Sequence, residues 1–108
     1  MIAVDLRRTV PAKLCGADVF DRGFAPGDVV LITESGGRVA SYGFGCPGCG
    51  ARSILHIDSG PEGRVWHVTD GDAAQPESAT LRASILHDPQ HGGCGWHGYL
   101  TAGSFAPC

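Results

Sequence analysis

The sequence lacks the features that mark membrane proteins and nucleic-acid-binding proteins. No apolar run approaches the roughly 20 residues that span a bilayer. The start, MIAVDLRRTV, places two arginines after the apolar residues, which is the reverse of a secretion signal. The eight Lys and Arg residues are scattered and the net charge is −3, so we expect no basic surface for nucleic acid. These absences predict a soluble chain made in a cytoplasm, without a signal peptide, that binds no membrane.

Helical periodicity is also scarce, and short β-branched segments bounded by glycine and proline take its place. The chain has 17 glycines and 7 prolines, with 43% hydrophobic residues. Strands are predicted at VVLIT (29–33), RVASYGF (38–44), RSILHI (52–57), RVWHV (64–68), TLRASILH (80–87) and CGWHGYLT (94–101). The fold class that follows is all-β, as a small antiparallel sheet, a sandwich or a partly open barrel with a zinc-ribbon-like knuckle.

The length of 108 residues suits one domain with a thin core. We expect a single unit over 1–108, in which 28–106 form the core. Residues 1–27 are less distinct and are interpreted as an N-terminal arm. Within this arm, AVDLRRTV could form an edge strand, and Lys13 to Asp18 could form one helical turn.

Two short cysteine motifs predict a metal site. Cys46-Pro-Gly-Cys49 and Cys94-Gly-Trp-His97 have the same two-residue spacing and lie far apart in the chain. Three thiolates and one imidazole are a standard tetrahedral zinc set, and four protein ligands leave no open position for catalysis. We therefore expect one structural Zn²⁺ on Cys46, Cys49, Cys94 and His97. Such an ion would stabilise a fold whose core is small.

Other interpretations of the cysteines and histidines stay open. A lone C-x-x-C is also typical of a redox pair, although that motif usually opens a helix. Cys108 at the end of the chain, or Cys15, could replace one ligand. His56, His67 and His87, with Asp58, Asp70 or Asp88 nearby in sequence, could form a second metal or acid–base site. No serine or cysteine nucleophile motif is visible.

The order of motifs resembles an uncharacterised family of small zinc-binding proteins of bacteriophage and prophage genomes, known by a domain-of-unknown-function label. The matching segments are CPGCG (46–50), VWHV, the Gly-Asp loop that ends at Pro76, ASILH (83–87) and CGWHGYLTAG (94–103). They cover roughly residues 28 to 106. The resemblance implies a zinc site and a phage origin, but no activity.

The closed ligand set, the missing catalytic motif and the resemblance together predict a non-enzymatic module that works by protein contact. In a phage setting this would be a virion component, such as a capsid decoration or connector protein, bound to phage structural proteins or to its own copies. Its location would be the virion or the host cytoplasm. Two alternatives are a phage-encoded binder of a host factor and a metal-dependent hydrolase that uses His56, His67 and His87. A nucleic-acid-binding zinc ribbon is disfavoured by the acidic balance.

Overall fold

A computed structural model describes residues 6–58 and 65–108. The elements are β1 (Val10–Pro11), β2 (Lys13–Leu14), α1 (Val19–Arg22), β3 (Asp28–Thr33), β4 (Val39–Gly45), β5 (Arg52–Ile57), β6 (Val65–Asp70), β7 (Thr80–Arg82), β8 (Ile85–Leu86), a 3-10 turn (Pro89–His91), β9 (His97–Thr101) and β10 (Ser104–Pro107). The predicted all-β class is confirmed, since α1 is one short turn.

The strands form two sheets. The first has four strands in the order β1-β10-β9-β8, and the second has six strands in the order β2-β3-β4-β5-β6-β7. Most neighbours are antiparallel, but β2–β3 and β5–β6 are parallel pairs. Both sheets place one face on a shared hydrophobic core, to which Trp96, Leu100 and Phe105 contribute from one sheet and Tyr42 and Leu55 from the other.

Aromatic side chains join the two sheets at the centre of this core. The rings of Phe44 on β4 and Phe105 on β10 stack with centroids 5.7 Å apart. Trp96 meets Phe105 edge-on at 6.3 Å. Trp96 and Phe105 are fully buried. Because Trp96 directly precedes β9, this packing fixes the approach to that strand.

The segment TLRASILH is not the single strand that its composition predicts. Thr80–Arg82 pairs with β6 in the six-stranded sheet, whereas Ile85–Leu86 pairs with β9 in the four-stranded sheet. The chain crosses between the sheets at Ala83 and Ser84, which therefore join neither ladder. This crossing places Ser84 at the junction of the two sheets.

The beginning of the chain also differs from expectation. Residues 3–5 of the proposed edge strand, like residues 59–63 of the turn after β5, lie outside the described residues. The strand that does form is β1, which pairs with β10. The helical turn was expected within 13–18 but lies at Val19–Arg22. Within the expected range, Lys13–Leu14 forms β2 and pairs with β3. Within the described part of the chain, no helix is long and apolar enough to cross a membrane.

Candidate metal centre and adjoining cleft

Four side chains from separate turns converge beside the core. Cys46 follows β4, Cys49 lies three residues later, His87 follows β8 and Cys94 precedes β9. Their ligand atoms all lie within 4.8 Å of one another. We call this group the Cys3His cluster. All five cysteines of the chain are free of disulfide bonds, so the cluster is not a pair of bridges.

The tight turn after β4 depends on its glycines. The N–H of Cys46 donates to the carbonyl of Ala51 at 2.9 Å, and the N–H of Gly50 donates back to the carbonyl of Cys46 at 2.7 Å. A Cβ atom at Gly48 would lie only 2.8 Å from the Cys94 sulfur and 3.0 Å from Cβ of Trp96. A side chain at position 48 would therefore push the two halves of the cluster apart.

The second half of the cluster comes from the loop between β8 and β9. The Asp88 carboxylate accepts a hydrogen bond from the N–H of Gln90 at 2.8 Å and so begins the 3-10 turn. The loop then returns, because the N–H of Gly95 donates to the carbonyl of His87 at 2.8 Å. This closed loop holds the Cys94 thiol against the His87 ring.

The distances within the cluster fit a tetrahedral ion. The Cys46 and Cys94 sulfurs are 3.5 Å apart, and Nδ1 of His87 lies 3.1 Å from the Cys46 sulfur and 3.6 Å from the Cys49 sulfur. Zinc bonds of about 2.3 Å to sulfur and 2.0 Å to nitrogen would separate the donor atoms by about 3.5 to 3.8 Å. The Cys46–Cys94 and His87–Cys49 distances are close to these separations, and the His87–Cys46 distance is a few tenths of an ångström shorter. The residues present therefore fit a single metal ion.

Burial shifts the pKa of one thiol in the cluster. Burial, reinforced by the neighbouring Cys94 thiol, raises the pKa of the Cys46 thiol to about 12, although the backbone N–H groups of Gly48 and Cys49 oppose the shift. Without a cation the Cys46 thiol is therefore protonated near neutral pH. The N–H of Cys94 also lies 3.4 Å from Nδ1 of His87, the ring nitrogen that is nearest to the sulfurs of Cys46 and Cys49.

The cluster contains three of the four ligands expected from the sequence, and His87 stands where His97 was expected. His97 is exposed and starts β9. Trp96 before the strand and Gly98 and Leu100 within it are buried, and the alternate residues face outward. Strand alternation thus turns the imidazole of His97 away from Cys94. The signal for His87 was its position before the turn residues Pro89, Gly92 and Gly93, which return the chain to Cys94.

The remaining cysteines and histidines lie elsewhere. Cys15 contacts Arg22 at 3.6 Å beside α1, and Cys108 is exposed at the end of the chain. His56 contacts the hydroxyl of Ser41 at 3.3 Å. The exposed His67 pairs with Asp58 at 3.1 Å. His56 and His87 line one cleft, but His67 pairs with Asp58 outside it, so the three histidines do not converge on the second site that the sequence suggested.

A cleft adjoins the Cys3His cluster. It has a volume of about 510 Å³ and is lined by residues that include Ile54 and His56 of β5, Trp66 of β6, Ser84 and Leu86 near β8, and Trp96. The backbone carbonyl of Ser84 accepts a hydrogen bond from Nε1 of Trp66 at 3.1 Å. Among the described residues, Nε1 of the fully buried Trp96 has no hydrogen-bond partner. The cleft thus combines a partly exposed serine with an unpartnered buried donor.

Comparison with known proteins identifies the family. The sequence profile of the family described as "Bacterial ubiquitination-like system serine protease (BubE)" matches residues 17–108. The chain belongs to the BubE family. No curated protein and no solved structure matches the chain significantly.

Membership of the BubE family corrects several expectations from the sequence. The resemblance to a phage zinc-binding family was wrong, and with it the virion, connector and capsid-decoration functions and the host-factor binder. The expectation of a non-enzyme is also wrong, because the family is described as a serine protease. The His56–His67–His87 hydrolase fails because these residues are separated. A ubiquitination-like system is a bacterial pathway of proteins, so protein partners remain expected, but phage structural partners and a virion location have no support.

Proposed function

We propose that this chain is a serine hydrolase that cleaves an acyl bond in protein substrates of a bacterial ubiquitination-like system. The observation that carries the proposal is the BubE profile match over residues 17–108. A hydrolase of this kind needs a nucleophilic hydroxyl, a base within reach of it and space for the scissile carbonyl. The cleft beside the Cys3His cluster supplies that space.

Ser84 is the nucleophile that the cleft favours. Of the two serines that line the cleft, Ser53 already donates its hydroxyl to the carbonyl of Ala51 at 3.4 Å. The hydroxyl of Ser84 has no partner among the described residues, and its residue is partly exposed at the crossing between the sheets. Its backbone is held by Trp66. A positioned backbone with a free hydroxyl suits an attacking group.

We assign the role of base to His97, which begins the strand next to β8. Leu86 on β8 is directly opposite His97 on β9, and both side chains are exposed. We infer that Ser84, two residues before Leu86, lies diagonal to His97 on the same outward face, although the ladder itself begins at Ile85. Diagonal neighbours have Cβ atoms about 7 Å apart or somewhat less, so long side chains can meet. Because His97 is not part of the Cys3His cluster, its imidazole is available to accept the Ser84 proton.

Ser41 and His56 are the competing pair. Their side chains are already in contact at 3.3 Å, which is the geometry expected of a nucleophile and its base. Ser41, however, is only 6% exposed. A carbonyl on a protein substrate cannot approach a hydroxyl that is enclosed in this way, so the contact is assigned a structural role.

A fluorophosphonate probe, which reacts covalently with activated serines, tests the proposal. We expect one adduct per chain by intact-mass analysis, no adduct on Ser84→Ala and an unchanged adduct on Ser41→Ala. A wild-type chain that is folded and metal-loaded but never reacts would contradict hydrolase activity. Labelling of Ser84→Ala at the wild-type rate would show that another serine is the nucleophile.

The ion of the Cys3His cluster is proposed to be zinc, with a structural role. Three sulfurs and one nitrogen in a compact tetrahedral arrangement suit Zn²⁺, and they leave no position for water or substrate. When bound, the ion would hold three thiolates and tie the turn after β4 to the β8–β9 loop. Elemental analysis should give one zinc per chain. A redox-active metal, or none in a folded chain, would contradict this assignment.

A further inference from the structure

The cleft is bounded by the open edge of a sheet. β8 is the last strand of its four-stranded sheet, and its only strand neighbour among the described residues is β9. The N–H of His87 donates to the carbonyl of Trp96 at 2.9 Å. Because hydrogen-bonded and non-hydrogen-bonded pairs alternate along antiparallel strands, the Leu86–His97 pair is then a non-hydrogen-bonded pair. The N–H and C=O of Leu86 consequently face away from β9.

The carbonyl of Ser84 supports this assignment. Ser84 lies two residues before Leu86. Its carbonyl accepts a hydrogen bond from Trp66, which lies on β6 and not on β9. The backbone groups of Ser84 and Leu86 therefore share one direction, toward the cleft that both residues line. Unpaired N–H and C=O groups on a sheet edge are a template for another extended chain.

Side chains around this edge suit a polypeptide. Ile54 and Leu86 both line the cleft and are 52% and 53% exposed, so they offer apolar contacts on its two sides. The indole of Trp96 also lines the cleft, although its N–H is enclosed. The volume of about 510 Å³ lies within the range of specific ligand sites. Apolar rims and backbone groups match the alternating chemistry of an extended peptide.

We propose that a segment of the substrate protein binds in the cleft as an added β-strand on the open edge of β8. The inference rests on the proposed hydrolase function and specifies its substrate as an extended, unfolded segment. A strand that pairs with both backbone groups of Leu86 runs directly past Ser84, two residues away. Main-chain pairing provides affinity in this mode of recognition, and Ile54 and Leu86 contact alternate side chains.

Nuclear magnetic resonance on the full-length, metal-loaded Ser84→Ala chain tests this binding without turnover. The probe is reduced, carboxymethylated lactalbumin, a permanently unfolded protein. We expect the amide signal of Leu86 and the indole signal of Trp96 to shift on titration. The sequence has only two tryptophans, so the indole of Trp66 is an internal reference. Shifts confined to other surfaces, or absent from both Leu86 and Trp96, would overturn the proposal.

A matched pair of variants separates strand pairing from side-chain contact. Leu86→Pro removes the edge N–H, at a position where a sheet edge tolerates proline, and Leu86→Val keeps it. Losing one such hydrogen bond should weaken probe binding about tenfold in Leu86→Pro, with little change in Leu86→Val. Equal binding by both variants, each with full metal content, would overturn the proposal. Signals that shift with the concentration of the chain alone would assign the edge to a second copy and also overturn it.

The proposed function and this inference can fail separately. Probe binding at Leu86 in a chain that never reacts with a fluorophosphonate would retain strand addition and reject the hydrolase. Fluorophosphonate labelling of Ser84 without probe binding would retain the hydrolase and reject strand addition.

Discussion

The Cys3His cluster and the cleft share the loop between β8 and β9, but their polar groups are arranged in opposite ways. In the cluster, four donor atoms face one another within 4.8 Å. In the cleft, the partly exposed Ser84 lines an open volume of about 510 Å³. Convergent donors suit a permanent ion, whereas an open volume beside a polar side chain suits a substrate that binds and leaves. We therefore propose that the two regions divide stability and chemistry between them.

This division predicts the largest effect for loss of a metal ligand. Cys94→Ser should lose the ion and unfold the domain, because zinc binding in small domains provides about 10–16 kcal/mol and whole domains are stable by only about 5–15 kcal/mol. Circular dichroism and elemental analysis would measure both effects. Cys15→Ser is the control, since Cys15 lies beside Arg22 outside the cluster, and it should melt as the parent does. A Cys94→Ser chain with full zinc and a normal melting temperature would reject the ligand set.

Two histidine variants sharpen the contrast between the regions. His97→Gln should slow fluorophosphonate labelling by about 10²-fold or more, as expected for loss of a general base, and should keep its metal. His87→Gln should lose metal affinity and thermal stability. Labelling kinetics and metal content are measured on both variants. If His97→Gln reacts at the parental rate, the base is a different residue and the pairing of Ser84 with His97 is wrong.

A smaller effect is expected from crowding the cluster. Gly48→Ala would place a Cβ atom 2.8 Å from the Cys94 sulfur, whereas at Gly43 a Cβ atom would meet nothing closer than 3.7 Å. Overpacking of this kind costs about 1–3 kcal/mol. Gly48→Ala should therefore lower both the melting temperature and the metal affinity, and Gly43→Ala should change neither by a comparable amount. Equal behaviour of the two variants would show that the turn is not packed against Cys94.

Acidification should release the metal ion from the Cys3His cluster. Each cluster thiol must lose a proton when the ion binds, and burial raises the pKa of Cys46 to about 12. Protons therefore compete with the metal over the whole neutral range, and metal affinity must rise with pH. Chelator competition between pH 6 and 8 should show this rise, and Cys108→Ser should show the same slope. Affinity that is independent of pH would contradict thiolate ligation.

The sequence was informative where a pattern is local. Glycine-bounded, β-branched runs located β3, β4 and β5 to within a residue or two. The C-x-x-C spacing pointed to Cys46 and Cys49, which both lie in the Cys3His cluster because a tight turn brings neighbours in sequence together. The same spacing rule was applied to Cys94-Gly-Trp-His97 and selected His97 as a ligand. Here, however, the chain enters a strand, in which successive side chains face opposite ways, and His87 takes that place in the cluster.

The features that sequence reasoning missed depend on contacts between distant segments. His87 reaches Cys94 only because the Asp88-to-Gly95 loop closes on the carbonyl of His87. The interruption of TLRASILH at Ser84 reflects the passage of the chain from one sheet to the other, and composition does not record that passage. The proposed pairing of Ser84 with His97 joins two strands and has no fixed spacing along the chain. A nucleophile of this kind leaves no local motif.

The most direct test of the division between cluster and cleft is mass spectrometry of the fluorophosphonate-treated, metal-loaded chain. The intact native protein should carry one zinc and one adduct at the same time. Trypsin then separates the candidate serines, since Ser84 falls in peptide 83–108 and Ser41 in peptide 39–52. The account predicts the adduct on Ser84 in peptide 83–108, with zinc retained. An adduct in peptide 39–52, or one that forms only when zinc is lost, would contradict it.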